Sequence, residues 1–207
     1  MVYYSCNEWR FTVVSMSVRT FMDDHQLVRD CLKEKPEAQR QLYGQFAETM
    51  LGVCYRYTKS VKDAEDVLQE GFVKVFFGLK QYKYEGELGA WIRRIMVTTA
   101  INYLKRNSPY QTDLSYNDMA LHPVSTDNPE VMLDAKDLAE LIRQLPPGYQ
   151  TIFNLHAIEG YTHVDIGKML GINEGTSRSQ YARARALLIS WLDKQSLTQK
   201  KTSYANK

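Results

Sequence analysis

The chain has 207 residues, which at about 150 residues per domain leaves room for one large core or two small ones. Hydrophobic residues make up 44% and charged residues 24%, which excludes a wholly disordered or fibrous chain. Lys and Arg total 26 against 24 for Asp and Glu, so the net charge of +2 gives almost no overall drive toward nucleic acid or an acidic membrane, and any basic surface must come from segregation of charge.

The N-terminal residues 1–21 carry no helical periodicity and read as an extension, with Met16 or Met22 as alternative starts of translation. The apolar run at 11–18 follows Glu8 with Arg10 as the only basic residue before it, and no small-residue cleavage site comes after it, so it is not read as a signal peptide. No apolar run reaches the roughly 18–20 residues of a membrane-spanning helix. Cys6, Cys31 and Cys54 are widely spaced, with no C-x-x-C pair, and are expected to be free thiols in a reducing cytosol.

A first helical block is expected at 22–107. Asp23 and Asp24 are read as N-caps of a helix carrying Leu27, Val28, Cys31 and Leu32, after which Pro36 punctuates the chain. Leu42, Phe46, Met50, Val53 and Cys54 belong to a second helix. The third has a capping box at Ser60 and Asp63, then one i, i+3, i+4, i+7 stripe of Ala64, Val67, Leu68, Phe72, Val75, Phe76 and Leu79. Its opposite face shows Asp63, Glu65, Asp66, Gln69, Glu70 and Lys74. Gly86 and Gly89 mark a turn, and Trp91, Ile92, Ile95, Ala100, Ile101 and Leu104 predict a fourth helix.

Turn residues at Ser108-Pro109, His122-Pro123 and Asn128-Pro129, with no sustained periodicity, make 108–132 a connector. Seven acids face one base over 113–140, a net of −6 that offsets basic segments on either side. A second helical block follows at 133–195, with helices at about 134–144 and 149–158 separated by Leu145-Pro146-Pro147-Gly148. Thr162 caps a short helix containing Ile166, Met169 and Leu170. Gly171-Ile172-Asn173 forms a turn, and a last helix runs over 174–193 with Asn173 as its cap. Two helices joined by a three-residue turn with glycine make a helix-turn-helix. Residues 196–207 are a polar tail. The expected fold is all-α, with two small helical domains joined by a flexible acidic linker.

Three segments carry chemistry. The last helix opens with Thr176, Ser177, Arg178, Ser179, Gln180 and Arg183, donors suited to phosphates and base edges at the N-terminal end of a major-groove helix. The segment 86–107 sets Arg93, Arg94, Lys105 and Arg106 against Glu87, interleaved with Tyr82, Tyr84, Trp91, Asn102 and Tyr103, a composition suited to single-stranded nucleic acid. Trp91, at helical spacing from Ile95, is read as a core anchor, so the bases and Asn102 are the functional residues there. The third segment is the acidic face at 63–70, which by itself reads as solvated surface. His25, His122, His156 and His163 are scattered and fit no catalytic or metal-binding motif, so no enzyme activity, metal or cofactor is expected.

Taken together, DAEDVLQEGFVKVF (63–76), GELGAWIRRIMVTTAINYLKR (86–106) and LPPGYQTIFNLHAIEGYTHVDIGKMLGINEGTSRSQYARARALL (145–188), in this order around a linker, resemble the bacterial RNA polymerase sigma factors of the sigma-70 family, extracytoplasmic-function (ECF) group. The resemblance covers about 22–195. It implies a cytoplasmic, non-catalytic subunit, without a stable homo-oligomer, that joins core RNA polymerase, directs it to promoters and helps open the DNA. It further implies that Asp63, Asp66, Gln69 and Glu70 dock on the beta-prime clamp, with further contacts to the beta subunit. Arg93, Arg94, Asn102, Lys105 and Arg106 would serve the minus-ten element, where a base leaves the non-template strand, and Thr176, Ser177, Arg178, Ser179, Gln180 and Arg183 the minus-thirty-five duplex. An anti-sigma protein is the implied regulator. The chain departs from the common pattern at Thr98, Asn102, Asp165 and the Ser177-Arg178 pair. The competing reading is an autonomous helix-turn-helix regulator that binds promoter DNA without polymerase.

Overall fold

The computed structural model describes residues 21–107 and 135–205, and every regular element in them is helical. The N-terminal extension up to residue 20, the connector 108–132 and Cys6 lie outside the described residues. Helix α1 is Phe21–Leu32, so Asp23 and Asp24 lie inside its first turn instead of capping it. Acids there still favour the helix by facing the positive end of its dipole. Helix α2, Pro36–Tyr55, begins with its proline, whose missing N–H would have had no partner in a first turn. Helix α3, Val61–Gly78, has the expected capping box: Ser60 Oγ accepts from the Asp63 N–H at 3.1 Å and donates to the Asp63 carboxylate at 2.7 Å. A short 3-10 turn, Leu79–Gln81, leads to helix α4, Leu88–Asn107.

Helix α3 packs between α2 and α4, and the apolar stripe read from the sequence is the buried one. Val67, Phe72, Val75 and Leu79 meet Leu42, Val53, Leu88, Ile92 and Met96 in the core. The crossing of α3 and α4 is close at Gly71, where an added Cβ would stand 2.2 Å from Met96 Sδ. Cys31 and Cys54 are buried free thiols, and burial pushes the Cys54 thiol up to about 12.

The second block contains α5 (Ala135–Gln144), α6 (Pro147–Phe153), α7 (His163–Leu170) and α8 (Glu174–Ala205). The helix expected at 149–158 is regular only to Phe153, and Asn154–Ile158 continues it as a π-helical turn. The widened turn lets Asn154 and Leu155, adjacent in sequence, both lie fully buried. Thr162 Oγ1 accepts from the Asp165 N–H at 3.1 Å to start α7, and Gly171, at φ +74, ends it in the left-handed conformation. A Cβ on Gly167 would stand 2.7 Å from the Ile172 carbonyl oxygen, so glycine is what lets the turn fold back on α7. Asn173 Oδ1 then accepts from the Thr176 N–H at 2.7 Å and opens α8.

The two blocks pack together. Ile152, Leu155 and Ile166 share the core of the first block, while Leu141, Ile142, Leu145, Ala184 and Leu188 make a smaller cluster. The last carbonyls of α2 and the turn after it have no intrahelical N–H to bond and take donors from the second block. Arg143 lies 3.7 Å over the Tyr55 ring and donates to the Tyr55 carbonyl at 2.6 Å. Gln150 and Asn154 donate to the Arg56 carbonyl at 3.1 and 2.9 Å. No helix among the described residues is long and apolar enough to cross a membrane.

Candidate nucleic-acid interface

Three helix faces carry the chemistry. On the outer side of α3, Asp66, Gln69, Val73 and Phe77 are exposed at i, i+3, i+7 and i+11, and so form one stripe. Asp63 and Glu70 border it but are engaged within the molecule. Tyr103 O–H donates to the Asp63 carboxylate at 2.7 Å, and the Ser60 and Tyr103 hydrogen bonds hold that carboxyl below its ordinary range. Glu70 accepts from Lys74 at 2.7 Å and from Arg106 at 2.5 Å, and these two cations lower its pKa. The sequence reading named Asp66 and Gln69 and missed Val73 and Phe77. Phe77 is 77% exposed, and its position on the far side of the helix from the buried Val75 was a usable signal.

On α4, Arg94, Thr98, Asn102 and Lys105 form an exposed stripe opposite the buried Ile92, Met96 and Ala100. Two expected cations stand apart from it. Arg106 pairs with Glu70, and Arg93 turns to the second block, where its Nε and Nη2 donate to the Glu159 carboxylate at 2.5 and 3.0 Å. Arg56 reaches the same carboxylate at 3.3 Å, and the Glu159 side chain is only 4% exposed. Trp91 is half-buried against the core, with its ring 5.4 Å from that of Tyr82, as befits an anchor. Tyr84 stacks on His25 at 4.4 Å and holds a left-handed φ of +60.

On α8 the expected row of six divides by face. Arg178 and Ser179 are exposed, and Thr176 and Arg183 are half-buried. Ser177 is fully buried with its hydroxyl 2.9 Å from His163 Nδ1, and Gln180 is 5% exposed. Both are corrected from groove contacts to interior residues, because 177, 180, 184 and 188 share the helix face that packs inward with Ala184 and Leu188. The His163 ring also stacks on His156 at 4.1 Å. Burial, then the His156 neighbour, lowers the His163 pKa. Arg178 pairs with Glu174 one turn earlier on the exposed surface.

Residues 42–109 match the family model for sigma-70 region 2, and residues 135–188 match that for sigma-70 region 4. The chain belongs to the sigma-70 family. This sigma factor is 31% identical to the ECF RNA polymerase sigma factor SigE of Mycolicibacterium smegmatis, over 75% of its own length and 62% of the relative's. It is 29% identical to the ECF RNA polymerase sigma-E factor of Haemophilus influenzae, over 81% of its own length and 94% of the relative's. Among solved structures it is similar to the sigma factor RpoE in complex with the anti-sigma factor NepR from Bartonella quintana, 20% identical with a TM-score of 0.46, covering 74% of this chain and 96% of that one. With both sigma-70 regions matched and these relatives, the protein is an RNA polymerase sigma factor of the ECF group, acting in transcription initiation.

Proposed function

We propose that residues 22–107 and 133–195 act as two arms on core RNA polymerase, joined by the linker 108–132, with no covalent chemistry of their own and in the cytoplasm where polymerase works. The stripe of Asp66, Gln69, Val73 and Phe77 docks on the beta-prime clamp, its apolar half providing area and its polar half orientation. Arg94, Asn102 and Lys105 hold the non-template strand at the minus-ten element. Removing a base from the stack there costs a few kcal/mol, and cations along the backbone help offset it. Thr176, Arg178, Ser179 and Arg183 face the minus-thirty-five duplex from the first turns of α8.

The observation that carries this reading is the opening of α8. The Gly171 turn and the Asn173 cap aim its N-terminal end outward, with Arg178 and Ser179 exposed there and Ser177 and Gln180 locking the opposite face. An arginine so placed is suited to bidentate contact with guanine, which phosphate-only binding would not need. An anti-sigma protein is the proposed regulator, since a sigma factor similar to this chain was solved in complex with one. Transcription from a library of promoter fragments, with purified core polymerase and with or without this chain, tests the reading. Specific transcripts only when both are present are expected. A specific shift of promoter DNA by the chain alone, without new transcripts, would replace it with the autonomous regulator.

A further inference from the structure

We propose that Arg56 and Arg93 form a binding site for a phosphate of the promoter DNA backbone, and that Glu159 of the second block occupies this site until the two blocks separate. The inference rests on the chain acting as a sigma factor and adds to that role a residue, Arg56, and a gate, Glu159. Three observations support it.

The first is the stoichiometry of charge. Two guanidinium groups converge on one carboxylate, Arg93 through two hydrogen bonds and Arg56 through an ion pair at 3.3 Å, and the carboxylate is nearly removed from water. Withdrawing Glu159 leaves two adjacent cations with no counter-charge between them. Such a pair calls for an anion, and planar arginine forks suit phosphate as well as carboxylate.

The second is an unmet donor. Arg56 Nε is buried and has no hydrogen-bond acceptor while Glu159 fills the site. The carboxylate is tethered to the end of the π-helical turn and reaches Arg56 only through Nη2, at 3.3 Å. A phosphate on a mobile strand is not tethered in this way and can approach both guanidinium groups.

The third is position. Arg93 directly precedes Arg94, the first member of the exposed α4 stripe with Asn102 and Lys105, and sits about 100° around the helix from it on the side that faces the second block, so a strand that leaves the stripe toward that block reaches it. The second block is held in place by Ile152, Leu155 and Ile166 in the shared core and by the polar contacts around it, Arg143 on the Tyr55 carbonyl and Gln150 and Asn154 on the Arg56 carbonyl. Glu159 therefore stands where a phosphate would, and the closed chain hides part of its own DNA surface.

The test uses the full chain and a fluorescent 20-nucleotide single-stranded DNA of mixed sequence, with anisotropy read across a salt series and the radius of gyration read by small-angle scattering. If the closed form dominates by about ten to one, Glu159→Gln is expected to tighten binding about tenfold. It should also enlarge the radius of gyration and steepen the salt dependence by about 0.7, one phosphate's share for a single strand. Adding Arg56→Gln should return the slope to its starting value. Asp137→Asn, which removes one exposed charge from the same block, controls for net charge. Arg143→Ala opens the chain without touching the arginine pair, and should tighten binding likewise even if Glu159→Gln does not fold. Binding by Glu159→Gln no better than by Asp137→Asn overturns the gate, and a slope indifferent to Arg56→Gln overturns the phosphate site. A gain seen with polyglutamate and not with DNA overturns the assignment to nucleic acid. Transcription with core polymerase by the unaltered chain is scored separately, so loss of the sigma role and loss of this site give different results.

Discussion

Helices α4 and α8 both carry exposed cations, but they hold those cations in different ways. On α8 the partner of Arg178 is Glu174, four residues earlier on an exposed surface. Such a pair is worth about 0–1 kcal/mol and exchanges readily for a phosphate or a base edge. On α4 the partners come from far along the chain: Glu70, 36 residues from Arg106, and Glu159, 66 residues from Arg93. The α8 face is complete once its own helix forms, whereas the availability of the α4 face depends on how α3 and the second block sit against it. One proposed DNA surface is local and the other is conditional on tertiary structure.

The largest effect that would break this contrast is loss of the core beneath α4. Ile92 is fully buried, and Ile92→Ala should cost about 2–5 kcal/mol in urea unfolding, with the α4 surface lost along with the fold. A cost under 1 kcal/mol would mean that α4 is held by something other than its packing. Next comes the division of α8 into two faces. Arg178→Ala should relax base preference at the minus-thirty-five element by about 1–3 kcal/mol. Gln180→Ala should lower stability and leave base preference as it was. Reversed outcomes in promoter-library transcription would show that the helix is turned about its axis relative to the arrangement described.

The caps sharpen the comparison at smaller scale. Ser60→Ala and Thr162→Ala should each cost about 0.5–2 kcal/mol, read by thermal unfolding. Ser60→Ala should also weaken the Tyr103 contact to Asp63, since that carboxylate is positioned by the same cap. The smallest effect expected is that of pH on the second block. His163 is held below its ordinary pKa by burial first, then by His156 and Arg178, with Glu174 opposing. The unfolded chain therefore binds a proton more readily than the folded one. This stability is fully present above the unfolded histidine pKa of about 6.5 and is lost as pH falls below it toward the folded value. His163→Gln should flatten the unfolding midpoint between pH 7 and 5.5, and an unchanged slope would remove the histidine from the account.

Much of this architecture is legible in the amino-acid sequence. The α3 stripe, the Ser60 and Thr162 caps, the Asn173 cap and the Gly171 turn all rest on local rules, because caps and turns are decided by side chains within four residues of the backbone they satisfy. Gln180 was misread because a polar residue in a basic segment suggests a groove contact, although its spacing from Ala184 and Leu188 already placed it on the inner face. Arg93 reads in the sequence as one of the minus-ten cations, and its pairing with Glu159 is not legible there. Nothing in its neighbourhood points to Glu159, since an ion pair across 66 residues leaves no periodicity in either segment.

The π-helical turn at Asn154–Ile158 makes the position of Glu159 a matter of counting. Successive residues of an α-helix are set about 100° apart around its axis. Deleting one residue from this turn would restore a regular helix with the emerging acid still in phase, whereas regularising the turn at constant length would rotate Glu159 by about that angle, away from both arginines, with every chemically important side chain still present. Aligned against relatives with regular helices here, the chain would show only a one-residue gap. The width of the turn, with no substitution at all, thus decides on which side of the helix the negative charge appears.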